Sequence, residues 1–214
     1  MKKFFPTLLL LLSCGLSAVA QPSGNPLVFG ENRLTLITPT LFRLEFARDG
    51  KFIDDPTIFA YDRSNLLPAD RFEVRALGGD RYEITTEALR IVYEHDGFPF
   101  GHNFAAYYKL NGKEKKFTNR CIFRNNLGGP VETLDRVTGE IPMQDGLLSR
   151  DGWYVIDDER SDLLVDGWLR PRDTRSHVQD QYCFVYGNDY KAALADLGAI
   201  GGRVPMTRKY IHGV

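Results

Sequence analysis

Acidic residues are the first candidates for chemistry in this chain. Asp157-Asp158-Glu159 closes an apolar run, and Asp54-Asp55 precedes Pro56. Paired carboxylates can hold a cation or share acid/base work. At a strand end they more often accept backbone N–H bonds in a turn, and that is the role expected of both groups. Trp153, Trp168 and the tyrosines offer faces on which a pyranose ring could stack, although with 12% aromatic residues most must be core. His95, His102, His177 and His212 are scattered, with no pair at ligand spacing on one element. No metal site is therefore expected, and each histidine is read as a surface or turn residue. The nucleophile elbow G-x-S-x-G is absent, as is a phosphate-cradling glycine loop; Gly128-Gly129 lacks a third glycine and reads as a turn. No cofactor is implied.

The elements that must position these residues are strands. From Val28 onward the apolar period is two. In Leu41-Phe42-Arg43-Leu44-Glu45-Phe46, Leu44 and Phe46 share one face while Arg43 and Glu45 share the other. Asp49-Gly50, Gly78-Gly79-Asp80, Asp96-Gly97 and Asn111-Gly112 punctuate the runs, the last being the strongest hairpin signal. Lys113, Lys115 and Lys116 suit a solvated, lysine-protected hairpin edge. Gly152 to Ile156, Leu163 to Leu169 and Asp180 to Tyr186 continue the strand pattern. One helix is expected after Asn188 or Asp189 as cap, with Tyr190, Ala193, Leu194 and Leu197 on one face up to Gly198. Short strands with turns every eight to twelve residues predict an all-β antiparallel sandwich with one short C-terminal helix.

The 214 residues suggest one domain or one and a fraction. Net charge is −1, which excludes the positive balance that nucleic-acid binding by counterion release needs. Residues 1–20 read as a signal peptide: Lys2 and Lys3, an apolar stretch from Phe4 to Leu12, and Ala18-Val19-Ala20 before Gln21. The stretch is too short for a membrane span, and no other segment approaches one. The protein is expected in the periplasm or secreted; the alternative is a lipoprotein anchored through Cys14 in Leu11-Leu12-Ser13-Cys14. An exported compartment permits a disulfide between Cys121 and Cys183, and two separate buried thiols serve equally well. Residues 21–27 form a linker, 28–187 the sandwich, and 188–214 a helix and connector.

The run Asn126-Leu127-Gly128-Gly129, Thr133-Leu134-Asp135, Gly139, then Asp145-Gly146-Leu147-Leu148-Ser149-Arg150-Asp151-Gly152-Trp153 and Ile156-Asp157-Asp158 resembles the N-terminal domain of family 31 glycoside hydrolases. Leu36-Ile37-Thr38-Pro39 with Arg43-Leu44-Glu45 resembles that domain's first strands. The stretch Phe184 to Leu194 resembles its exit helix, and Gly201-Gly202-Arg203-Val204-Pro205 its connector. The resemblance implies a galactose-mutarotase-like sandwich that packs on a (β/α)₈ barrel. In the family, that barrel carries two aspartates for retaining hydrolysis of α-glycosides, without a cofactor. Both aspartates would lie beyond Val214, so no catalytic residue is assigned here and the chain reads as truncated before its barrel. An α-linked oligosaccharide would be met through the barrel. A sandwich loop walls the sugar pocket in the family, which makes Asp135, Arg136 and Asp145 the substrate-binding candidates; local capping is the alternative role for the aspartates. A barrel-facing surface without its partner would favour self-association. The alternative function is a stand-alone carbohydrate-binding β-sandwich.

Overall fold

The alternation seen in the sequence builds two five-stranded antiparallel sheets. The computed structural model describes residues 24–120, 125–129 and 138–202. The predicted signal peptide and its Cys14 box, residues 21–23 of the predicted linker, Cys121 and the predicted connector beyond Gly202 lie outside them. In chain order the strands are β1 (Leu27–Phe29), β2 (Asn32–Leu36), β3 (Leu41–Ala47), β4 (Phe72–Gly78), β5 (Arg81–Thr86) and β6 (Arg90–Glu94). Then follow β7 (Phe104–Leu110), β8 (Lys113–Phe117), β9 (Trp153–Asp157), β10 (Leu163–Val165), β11 (Trp168–Arg170), β12 (His177–Val185) and the helix α1 (Tyr190–Gly201). The first sheet runs β1-β2-β3-β12-β9 and the second is the meander β4-β5-β6-β7-β8.

The core lies between the sheets. Leu34, Leu36, Phe42 and Leu44 from the first sheet meet Ile84, Ile91, Tyr93 and Phe104 from the second, all buried. Phe42 packs 5.7 Å from Phe104, and Phe117 packs 5.2 Å from Trp153, centroid to centroid. Burying each such side chain contributes about 1.5–3 kcal/mol. The predicted all-β sandwich with one helix is the observed architecture. The interior strand β12 arrives last and inserts between β3 and β9, pairing Tyr182 with Arg43 on one side and with Ile156 on the other.

The outer face of the first sheet is covered, not solvated. All seven residues of β3 are buried, Arg43 and Glu45 included. The cover consists of the segment 51–67 and α1. Leu41, Tyr182, Phe184 and Tyr186 on the sheet meet Ala60, Ala193 and Ile200 in a second apolar cluster. The Asp189 carboxylate caps α1 by accepting the Ala192 N–H at 2.9 Å, as the sequence predicts. The carbonyls of the last turn are met by segment 51–67: Asp62 N donates to Ile200 O at 2.9 Å, and Asn65 Nδ2 to Ala199 O at 3.1 Å. Leu194 departs from expectation. It is exposed, because the helix turns Ala193, Asp196 and Ile200 inward.

The Asn111-Gly112 hairpin forms as predicted, both residues at positive φ. Its return strand β8 is a sheet edge whose lysines are exposed. The single strand predicted over Leu163 to Leu169 is instead a hairpin, since Asp166 and Gly167 both take positive φ and reverse the chain. Among the described residues no helix is long and apolar enough to cross a membrane.

Candidate functional site

Outward-facing positions of β2, β3 and β12 bring together the charged residues that alternation segregates from the core. Arg33 grips Glu45 through Nε–Oε2 at 2.6 Å and Nη2–Oε1 at 2.9 Å. Arg43 grips Asp180 in the same two-pronged way, at 2.6 and 2.7 Å. From the cover, Arg63 donates to Asp158 Oδ2 at 3.1 Å, and Thr57 donates to the same oxygen at 2.8 Å. Arg172, just before β12, donates through Nη1 to Asp180 Oδ2 at 2.6 Å. Glu45, Asp158 and Asp180 have no solvent-exposed side-chain surface. Ile53 O sits above the cluster, taking Nη donors from Arg63 at 3.0 Å and Arg43 at 3.3 Å.

The electrostatics follow from this packing. Burial opposes the charge of Arg43, but Glu45 and Asp180 more than offset it and hold the guanidinium above its ordinary range. Burial would raise the Asp180 carboxyl; Arg43, with Arg63 and Arg172, holds it well below the usual carboxylate range instead. Burial and the neighbouring Arg43 charge lower Arg63. Burial also pushes the Tyr182 phenol up to about 12. A carboxylate fixed in this way is a permanent anion at neutral pH, not a proton donor.

His177 corrects the expectation of a surface histidine. It is 1% exposed on β12, with Nε2 3.4 Å from Glu45 Oε1. Glu45, His177 and Asp180 present ligand atoms within 4.8 Å of one another. Their chemistry speaks against a cation. Both carboxylates already accept from arginine, and a divalent ion there would face Arg33, Arg43 and Arg172 at short range.

Two hollows flank the cluster. One, of about 500 Å³, is walled by Arg33, Arg43, Arg63, Asp54 and Tyr61. The other, of about 460 Å³, has Arg172 and His177 beneath a rim of Glu159, Arg160, Asp162 and Thr174. Sequence reasoning placed Asp157-Asp158-Glu159 in a turn. Asp157 does accept the Glu159 N–H at 3.1 Å, but Asp158 enters the buried cluster instead. No local signal marks this, because its partners Thr57, Arg63 and Arg172 are remote in sequence. The Asp54-Asp55 turn likewise lends Asp54 to Arg33 at 2.6 Å.

A second structure lies at the far end of β9, where the chain enters and leaves the segment 130–145. Leu127 N donates to Leu148 O and Gly129 N to Gln144 O, at 2.9 and 2.6 Å. A Cβ on Gly129 would stand 2.9 Å from Gly146 Cα, so only glycine allows the two strands of this neck to close. Gly128-Gly129 is thus a close backbone approach, beyond the simple turn expected. Tyr186 braces the neck, its hydroxyl accepting Ser149 N–H at 2.6 Å and donating to Leu147 O at 3.1 Å. Asp145 is exposed at the neck's exit, close enough to Tyr154 to add to the rise that burial gives that phenol. Asp135 and Arg136 lie outside the described residues.

The remaining candidates separate cleanly. Trp153 is buried against Phe117, while Trp168 is 72% exposed on β11. His102 is exposed beside Asp96, and His95 bonds the Tyr93 hydroxyl; His212 lies outside the described residues. Cys183 is a free, fully buried thiol in β12. No family model matches the chain, and no curated protein matches it.

Proposed function

We propose that this chain is the noncatalytic β-sandwich of an exported glycoside hydrolase of the family 31 type, which docks on a catalytic barrel and offers the 130–145 loop to its sugar pocket. The observation that carries this reading is the neck. The described parts of the block that resembles the family, Asn126–Gly129 and Asp145–Trp153, fold against each other and against Tyr186 and Gly187 as one bonded unit. Such a neck fixes the root of the segment between its two strands. The docking surface in this reading is the cover of the first sheet. Exposed Ile58, Tyr61 and Leu194 lie on its elements, which Asp62 N–Ile200 O (2.9 Å) ties together, and exposed Trp168 lies on the adjoining β10–β11 hairpin, which Leu164 N–Pro56 O (2.7 Å) joins to the cover. The β8 edge of the second sheet, by contrast, carries exposed lysines.

The test mixes the chain with a family 31 barrel stripped of its own sandwich. Association should be saturable, and the mixture should hydrolyse aryl α-glucosides or α-xylosides faster than the barrel alone. Trp168→Glu and Ile58→Glu should weaken association at least tenfold. Turnover by the chain on its own that disappears on mutating its own acids would overturn the reading, as would a barrel indifferent to its presence. Alone, the chain should self-associate through the same cover, and both glutamate variants should reduce this in sedimentation experiments.

Trp168 favours a second reading, a carbohydrate-binding module, since an exposed indole on a hairpin is a ready stacking platform. Saturable quenching of its fluorescence by oligosaccharides, lost in Trp168→Phe, would select that reading.

A further inference from the structure

The buried donors on the outer face are not all satisfied. Four guanidiniums, Arg33, Arg43, Arg63 and Arg172, share three buried carboxylates, Glu45, Asp158 and Asp180, with exposed Asp54 as a further partner of Arg33. Arg33 takes Glu45, Arg43 takes Asp180 and Arg63 takes Asp158. Arg172 is left to share Asp180 Oδ2, which Arg43 also holds at 2.7 Å. Its Nη2 stands 3.8 Å from Asp158 Oδ2, beyond hydrogen-bond reach. Among the described residues Nε and Nη2 of Arg172 meet no acceptor, and its side chain is only 1% exposed. Both ring nitrogens of His177 beside it are likewise without a hydrogen-bond partner. Arg172 is thus ion-paired through one nitrogen only, and buried N–H groups left without an acceptor are disfavoured until something accepts them.

The Nε–Nη2 edge of arginine is a planar fork whose two parallel N–H groups match the two oxygens of a carboxylate. Arg172 and His177 both line the hollow of about 460 Å³, which is larger than an inorganic ion requires. We propose that this hollow is a binding site for a small carboxylate-bearing molecule, with Arg172 holding the carboxylate through its free fork and His177 bonding a neighbouring oxygen. The rim suits the rest of such a ligand. Glu159, Asp162 and Thr174 present acceptors and a hydroxyl to polar groups, while exposed Arg160 balances part of the rim's negative charge. The Arg33 hollow differs because Asp54 already answers its guanidinium at 2.6 Å. This site stands on Arg172 and owes nothing to the docking of the module.

Calorimetric titration of the full chain with glucuronate and with glucose tests the site, because the two sugars differ at one carbon, carboxylate against hydroxymethyl. Glucuronate should bind saturably and glucose should not. Arg172→Lys keeps the charge but loses the fork, and should weaken glucuronate at least tenfold. Thr174→Trp fills the mouth from an exposed position without touching the buried cluster, and should abolish binding while leaving the circular dichroism spectrum unchanged. Asp54→Asn, in the other hollow, should leave binding as it is. Absence of glucuronate and acetate binding up to about 10 mM would overturn the proposal. So would glucose binding as well as glucuronate, sulfate binding in preference to either carboxylate, or glucuronate affinity indifferent to both Arg172→Lys and Thr174→Trp.

Discussion

Asn126 holds Gly146 by both ends of its amide, donating from Nδ2 to the carbonyl at 2.7 Å and accepting the N–H on Oδ1 at 2.9 Å. The same Oδ1 accepts Gly128 N–H at 2.8 Å, so one side chain closes the neck across twenty residues of sequence. Asn126→Ala leaves three partly buried backbone groups without these partners. The expected loss is about 1–3 kcal/mol in urea unfolding. Limited proteolysis between residues 130 and 145 should quicken more than the global loss predicts, because the neck opens locally first.

Gly187 and Gly50 both sit at positive φ, near +60° and +68°, but their surroundings differ. A Cβ at Gly187 would overlap Lys109 O, whereas one at Gly50 would meet nothing within 4 Å. Alanine at either position incurs the left-handed strain of about 1–2 kcal/mol. At Gly187 the overlap adds about 1–3 kcal/mol more, since the β7 backbone must yield. Gly187→Ala should therefore melt well below Gly50→Ala, and equal melting temperatures would contradict the close approach.

Asp180 makes stability depend on acid. Its carboxyl titrates lower in the fold than in the unfolded chain, where the ordinary value is about 3.9. Its contribution is thus complete above the unfolded value and is lost as pH falls through the lower folded one. Melting curves should drop as pH goes below about 4, with the unfolded chain taking up the proton first. Asp180→Asn should flatten that drop. At neutral pH it should cost about 3–5 kcal/mol, because Arg43 and Arg172 are left buried without their shared anion.

Cys183 lies in β12 with no exposed surface, and burial pushes its thiol well above the ordinary range. Iodoacetamide should leave the Cys183 peptide unmodified in the native protein and label it fully in urea, as read by mass spectrometry. Recovery of Cys183 in a disulfide-linked peptide would contradict the free thiol of the structure.

The sandwich was legible in local pattern alone. A period of two from Val28, Asn111-Gly112 at a hairpin and Asp189 before a helical face are local signals, and local backbone preferences carried them into the structure intact. The same alternation put Phe42 and Leu44 on one face of β3 and Arg43 and Glu45 on the other. What it could not decide was whether that other face meets water. Only tertiary structure laid segment 51–67, α1 and Arg172 over it, turning that face into a buried set of ion pairs. It likewise drew Asp158 and His177 out of their predicted turn and surface roles. The physical reason is range. Period and turn chemistry are written in neighbouring residues, whereas Asp180 lies 137 residues from Arg43, and Thr57 and Arg63 lie 101 and 95 residues from Asp158, so these groups meet only once the chain has folded.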